Sequence, residues 1–214
     1  MNRDLCYVIH QRWLNEKQLI IEFFGSQLGR IQCVSNKSLA PQTGCLYDIN
    51  WKENKSGLYR LKQAELCGPV YIHQHNHLIS LLYLHELILA LVPVGMGYTK
   101  SFHQYSQAIK DLHFKKPIAK VVRSFEQALL SDLGYGIEAD LLPKNENGWI
   151  RFDVNQGFTH YAQAVPDAFP IHSIRKILNG YQDGVDMQHA KRFFQNIIKQ
   201  LLPNKVWYSK NIYV

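Results

Sequence analysis

Residues 19–34 read LIIEFFGSQLGRIQCV. Leu19, Ile21 and Phe23 alternate with Ile20, Glu22 and Phe24, the period of a β-strand. GSQLG interrupts the alternation as a turn. Ile31 and Cys33 then lie on one side of a second strand, with Arg30 and Gln32 on the other. Downstream, Cys45, Tyr47, Ile49 and Trp51 alternate with Leu46, Asp48 and Asn50; KENKSG is a turn, and Leu58–Leu66 alternates again. The β pattern begins upstream at Leu5. Five short strands within residues 5–66 suit a small Greek-key barrel of the OB type, with an SH3-like barrel as the structural competitor.

Beyond His77 the pattern turns helical. Leu78–Val92 is apolar nearly all round, which predicts a buried central helix ended by Pro93, Gly95 and Gly97. It is too short to span a bilayer and is interrupted by His85 and Glu86. Residues 98–113 form a second predicted helix, with Phe102, Tyr105, Ile109 and Leu112 on one face. A third runs through VVRSFEQALLSDLGYG, residues 121–136, where Val122, Phe125, Leu129 and Leu133 share a face. Pro117 suits its first turn, and Gly134 and Gly136 suit its end. Residues 149–154, the turn NQG and Phe158 onward read as a hairpin; residues 171–178 and 187–202 read as helices. The expected fold class is α+β. An OB-type barrel over residues 1–75 precedes a helical domain over 76–214, with a hairpin-containing insertion at about 137–168.

The chain carries a net charge of +7 with histidines neutral, which favours a polyanionic partner. Residues 100–123 hold six Lys/Arg against the single acid Asp111, and residues 187–214 hold five against none. The four cysteines, Cys6, Cys33, Cys45 and Cys67, contain no CxxC and sit mostly in strand patterns. They read as buried free thiols suited to a reducing cytosol, so the expected location is cytoplasmic. The N-terminus lacks the apolar core and cleavage site of a signal peptide.

No catalytic constellation is present: there is no GxSxG, no phosphate loop with lysine and no HExxH, so a non-enzyme is expected, with no cofactor. His73, His75 and His77 alternate in YIHQHNH and on a strand would share a face, as metal ligands do. No carboxylate or cysteine stands beside them at ligand spacing, so an exposed polar linker into the first helix is the simpler reading, and no metal is expected. Binding is better supported. A barrel of this kind holds single strands by a basic groove and aromatic stacking. Arg12, Arg30, Lys37, Lys55, Arg60 and Lys62 lie on or beside predicted strands, interleaved with Trp13, Phe24, Trp51 and Tyr59. Core packing is the competing role for each of those aromatics.

Taken together, Tyr7-Val8-Ile9-His10, Arg12, the Leu19–Phe24 strand, Gly29-Arg30, Lys37, the YLHEL of the first helix, FEQALLSDLGYG and the AKRF near the C-terminus resemble, in their order and spacing, the RecO family of recombination mediators. The chain departs from that family twice. After Val34 the usual long basic loop is replaced by NKSLAPQTG, with Lys37 alone. After Gly136 the four-cysteine zinc module found in many members is replaced by IEADLLPKNENG. The resemblance implies a bacterial, nucleoid-associated mediator that binds single- and double-stranded DNA and anneals complementary strands. With RecR, it would help load RecA onto DNA coated by single-stranded-DNA-binding protein.

The resemblance also implies a receptor for the acidic, phenylalanine-terminated tail of that coating protein. Arg123 would meet the tail's carboxylate, with Lys115, Lys116, Lys120, Phe125 and Leu129 around it. Lys191, Arg192 and Lys205 near the C-terminus would supplement the barrel's DNA contacts. Two other readings remain at this point: an RNA-binding barrel protein of translation or RNA processing, and a histidine-metal hydrolase.

Overall fold

The computed structural model describes residues 2–53, 59–68, 72–137, 139, 142–144, 147–180 and 184–209. Five strands form a closed barrel in the order β1 (Asn2–Asn15), β2 (Gln18–Gly25), β3 (Gly29–Asn36), β5 (Tyr59–Gly68) and β4 (Leu46–Glu53). All neighbours are antiparallel except β3 and β5, which pair in parallel at Cys33–Tyr59 and Val34–Arg60. Then come α1 (His75–Leu91), α2 (Thr99–His113) and α3 (Ile118–Asp132). After these, β6 (Trp149–Asp153), β7 (Gly157–Tyr161) and the short β8 (Phe169–Pro170) make a second sheet in the order β7-β6-β8. The described elements end with α4 (Ile171–Leu178) and α5 (Gly184–Leu201). The α+β class and the five-stranded barrel are as the alternation indicated. The expected hairpin at 149–161 gains β8 as a third strand.

The chain groups into two compact units. One runs up to Ile118 and includes Tyr208 and Ser209; the other runs from Ala119 to Trp207. In the first unit, Cys6, Val8, Ile21, Phe23, Ile31, Cys33, Ile49 and Trp51 fill the barrel and are essentially inaccessible. Burying that apolar surface is the main term favouring closure. Part of the outer wall is covered as well. Tyr7 and Phe24, cross-strand partners on β1 and β2, pack edge-on against Tyr105 of α2, at ring distances of 5.0 and 5.7 Å. This explains why LIIEFF is so uniformly apolar: Phe23 points into the barrel and Phe24 lies under a helix. His85 of α1 is buried in the same layer, with Nε2 2.6 Å from the Tyr105 hydroxyl.

The turn between β2 and β3 is held by a buried carboxylate. Asp4 accepts hydrogen bonds from the Leu5 and Gln27 amides, at 2.8 and 3.0 Å, and from the Ser26 hydroxyl. The loop after α1 meets this turn backbone to backbone. A Cβ on Gly29, which has φ of +63°, would lie within 1.8 Å of the Met96 carbonyl oxygen. The Gly95 amide donates to the Arg30 carbonyl at 2.9 Å.

In the second unit, α3 ends as the sequence indicated. Gly134 is left-handed (φ +83°), with Tyr135 N–H bonded to Leu130 C=O at 2.8 Å and Gly134 N–H to Ser131 C=O at 3.1 Å, a Schellman closure. Phe193 of α5 contacts Phe158 and Phe169, which joins this helix to the small sheet.

The histidine triplet does not share a face. His75 and His77 lie in the first turn of α1, where two residues apart means about 200° around the axis. His77 is buried, not an exposed linker residue, and its Nε2 lies 3.3 Å from the Lys116 carbonyl oxygen. Among the described residues no group of three or more His, Cys, Asp or Glu is placed to hold a metal ion. Among them, too, no helix is long and apolar enough to cross a membrane.

Candidate nucleic-acid interface

The barrel register places the basic side chains. On β2 the residues 19, 21 and 23 are buried, so 20, 22 and 24 face outward, and pairing carries that parity around the wall. Arg12 pairs with Ile20, Ile20 with Val34, Val34 with Arg60, and Arg60 with Lys52. One outward row therefore crosses all five strands as Arg12–Ile20–Val34–Arg60–Lys52. Its two ends are exposed and cationic, and its centre is half-buried and apolar. Lys62, two residues along β5 from Arg60, is exposed on the same side. Leu61, between Arg60 and Lys62, and Trp51, next to Lys52, point into the core. Lys52 was missed by sequence reading; its signal is its alternation with the inward Trp51.

Lys37 stands just past β3, with its ammonium 5.3 Å from the centroid of the Trp13 ring. Trp13 is 59% exposed, whereas Phe24 and Trp51 are core residues and Tyr59 is half-buried against Trp51. Of the four aromatics singled out, only Trp13 is presented to solvent as a ring. Lys55 lies outside the described residues.

Arg30 shares the outward parity but belongs to another row, Tyr7–Phe24–Arg30, which the helices cover. Its guanidinium donates to the Leu89 carbonyl in α1 and lies 3.8 Å from the Glu22 carboxylate. Glu22 in turn accepts a hydrogen bond from the Gln32 amide at 2.5 Å. Arg30 therefore holds a helix on the barrel and does not line the open face.

Arg123 is only 4% exposed, so it does not overhang a surface groove as its offset from the apolar stripe indicated. It forms a 2.8 Å ion pair with Glu126, itself fully buried, and donates to the Lys191 carbonyl at 3.4 Å. The physical reason is its partner. One turn along the helix, Glu126 compensates the charge, so the pair enters the core together. Phe125 and Leu129 are core residues at 0% and 1% exposure. Lys120 is exposed in the second unit; Lys115 and Lys116 are exposed in the first, where Lys116 pairs with Asp111 at 2.8 Å. On α5, Arg192 and Lys199 are exposed and Lys191 is half-buried. Lys205 places its ammonium 5.8 Å from the Trp207 ring.

Burial drives the buried titratable groups toward their neutral forms. It lowers His85 to about 3, with His10 adding to the effect. It raises the Cys33 thiol to about 12, helped by Glu22. Neutral groups at these positions are packing elements. On the barrel, the exposed cations Arg12, Lys52, Arg60 and Lys62 of three strands are accompanied by the exposed ring of Trp13.

No protein-family model matches the chain. Individual relatives do. The chain is 30% identical to "DNA repair protein RecO" of Aliivibrio salmonicida over 141 residues, covering 62% of this chain and 59% of that protein. It is 28% identical to the protein of the same name from Tolumonas auensis over an aligned length of 223, covering 97% of this chain and 93% of the relative. It is 25% identical to that of Nitrosococcus oceani, covering 97% and 90%.

Proposed function

We propose that this chain, similar over nearly its whole length to proteins named DNA repair protein RecO, is a recombination mediator of that family whose open barrel end holds DNA. The role in DNA repair and recombination comes with the family. Its finer content is our reading: the protein binds single- and double-stranded DNA and anneals complementary strands. Together with RecR it assists loading of RecA onto DNA coated by single-stranded-DNA-binding protein. The carrying observation is the outward row whose ends are Arg12 and the Lys52–Arg60 pair, flanked by Lys62 and Lys37.

Annealing requires no covalent chemistry. Two strands repel through their phosphates, and cations that neutralise those phosphates lower the repulsion while releasing counterions. Base pairing then supplies the sequence discrimination, so contacts indifferent to sequence suffice. The exposed Arg192 and Lys199 of the second unit, with the half-buried Lys191 and Lys205, give a further cationic surface for the same purpose. For a contact with an acidic protein tail, each unit by itself offers exposed cations: Lys115 and Lys116 on the first, Lys120 on the second. Arg123, Phe125 and Leu129 support α3 from within.

The deciding experiment is annealing of two complementary labelled oligonucleotides, followed by energy transfer, with wild type and with the Arg12→Ala/Lys52→Ala/Arg60→Ala protein. Wild type is expected to accelerate annealing and the triple variant to lose most of that acceleration at equal folded fraction. If wild type does not accelerate annealing and binds RNA in preference to DNA, the mediator reading is wrong and an RNA-binding role takes its place.

A further inference from the structure

We propose that Trp13 is a base-stacking residue that makes the barrel end favour single-stranded over duplex DNA, with Lys37 bridging its ring to the adjacent phosphate. The inference rests on the reading of that end as the DNA surface and goes beyond it in naming how strands are discriminated.

Trp13 sits near the tip of the β1–β2 hairpin, in register with Leu19 and thence with Ser35. Leu19 and Ser35 are buried, at 6% and 1%, while the largest side chain of the row is left 59% exposed. Indole is the costliest apolar group to leave in water. A single exposed apolar residue on a surface is ordinary. Here, however, the ring is joined by the Lys37 ammonium over it.

The platform is also held by backbone. The Asn15 side chain accepts from the Lys17 amide at 3.0 Å within the hairpin turn, and the Lys37 amide donates to the Lys17 carbonyl at 3.0 Å. Ring and cation are therefore carried on segments tied to one another, so little ordering is required when a strand arrives. A flat π-face beside cations fits a nucleobase with its phosphate. Duplex bases are already stacked on their neighbours and offer no free face, so the ring adds affinity only for unpaired strands.

The test uses the whole chain and fluorescence anisotropy with labelled oligothymidylate and with a duplex of equal length. Trp13→Ala is expected to weaken single-strand binding about tenfold or more, the loss of roughly one stacked base. Duplex binding is expected to stay within about twofold, because no charge is removed. Trp13→Phe, which keeps a stacking face, is expected to retain most of the affinity. In a second arm, an oligonucleotide of abasic sites is expected to bind wild type and Trp13→Ala equally. Equal losses on single strand and duplex, or no loss on either, would overturn the stacking role. If the Arg12→Ala/Lys52→Ala/Arg60→Ala protein is at the same time weakened, the DNA surface stands and only the role of Trp13 falls. Failure of wild type to bind either DNA would sink both.

Discussion

The guanidinium of Arg30 on β3 donates a hydrogen bond to the Leu89 carbonyl in the last turn of α1. A cation at that end of a helix also meets the negative pole of its dipole. The neighbouring Gly29 lies against the Met96 carbonyl, so Gly29-Arg30 is a small joint between barrel and helix. Replacing Arg30 by Ala is expected to cost roughly 1.5–3 kcal/mol of stability, since a charge-assisted bond is lost. The salt dependence of DNA binding is expected to stay as in wild type. Urea denaturation and a salt titration measure the two; a lower salt slope with unchanged stability would return Arg30 to the DNA surface.

If phosphate contacts dominate affinity, the logarithm of the binding constant falls linearly with the logarithm of salt concentration. Replacing both Lys52 and Arg60 with Ala is expected to lower that slope by about two, near one per phosphate contact, and to weaken all sequences alike. An unchanged slope in such a titration would move the principal surface to Arg192 and Lys199 and their neighbours on the second unit.

The barrel was legible because its signal is local: a period of two and short turns set where the strands lie. Helix positions were legible for the same reason, and Ile171–Leu178 was placed to the residue. Which face of the barrel stays open was not, because it depends on where α1 and α2 come to rest. Arg12 and Arg30 look alike in sequence, yet one lies on the open row and the other under a helix. Arg123 failed similarly. Its position off the apolar stripe suggested a surface, but its Glu126 partner allowed burial, and periodicity does not report charge compensation. The histidine triplet misled through its period: alternation implies one face only on a strand, and the helix begins at His75.

His85 gives a pH dependence with a definite sign. Its folded pKa, about 3, lies below its ordinary value near 6.5, because burial disfavours the imidazolium. The unfolded chain therefore binds a proton that the folded chain excludes. Stability is fully present above about pH 6.5 and declines as pH falls toward 3, by up to about 1.4 kcal/mol per pH unit from this group. Chemical denaturation at stepwise pH checks this against His85→Gln, whose profile is expected to be flatter over that window. Parallel profiles would remove His85 as the origin.

Cysteine reactivity separates the four thiols. Cys6, Cys33 and Cys45 are buried in the barrel, and Cys67 is exposed on β5. Burial raises the Cys6 and Cys33 thiols well above their ordinary range, which suppresses the reactive thiolate. In native protein a thiol reagent is expected to modify Cys67 rapidly and the other three only after denaturant is added. Mass spectrometry of the native reaction decides it; rapid labelling of Cys33 would mean that the barrel opens.

The two glycines that end α3 fulfil different requirements, and substitution distinguishes them. Gly134 is needed for its left-handed backbone, and nothing crowds the site where a Cβ would stand. Gly136 is needed for space: a Cβ there would lie 2.7 Å from Ser131 Cα and 2.9 Å from its Cβ. Ala at 134 is expected to cost about 1–2 kcal/mol, the price of that conformation for an L-residue. Asn, which tolerates it better, is expected to cost less. At 136 the obstacle is backbone that cannot swing aside, so Ala is expected to cost roughly 1–3 kcal/mol and Asn no less. Urea midpoints of the four variants test the distinction. Asn rescuing position 136 as well as 134 would show that both sites are conformational, and equal costs for Ala and Asn at 134 would show that the left-handed turn is not what the glycine supplies.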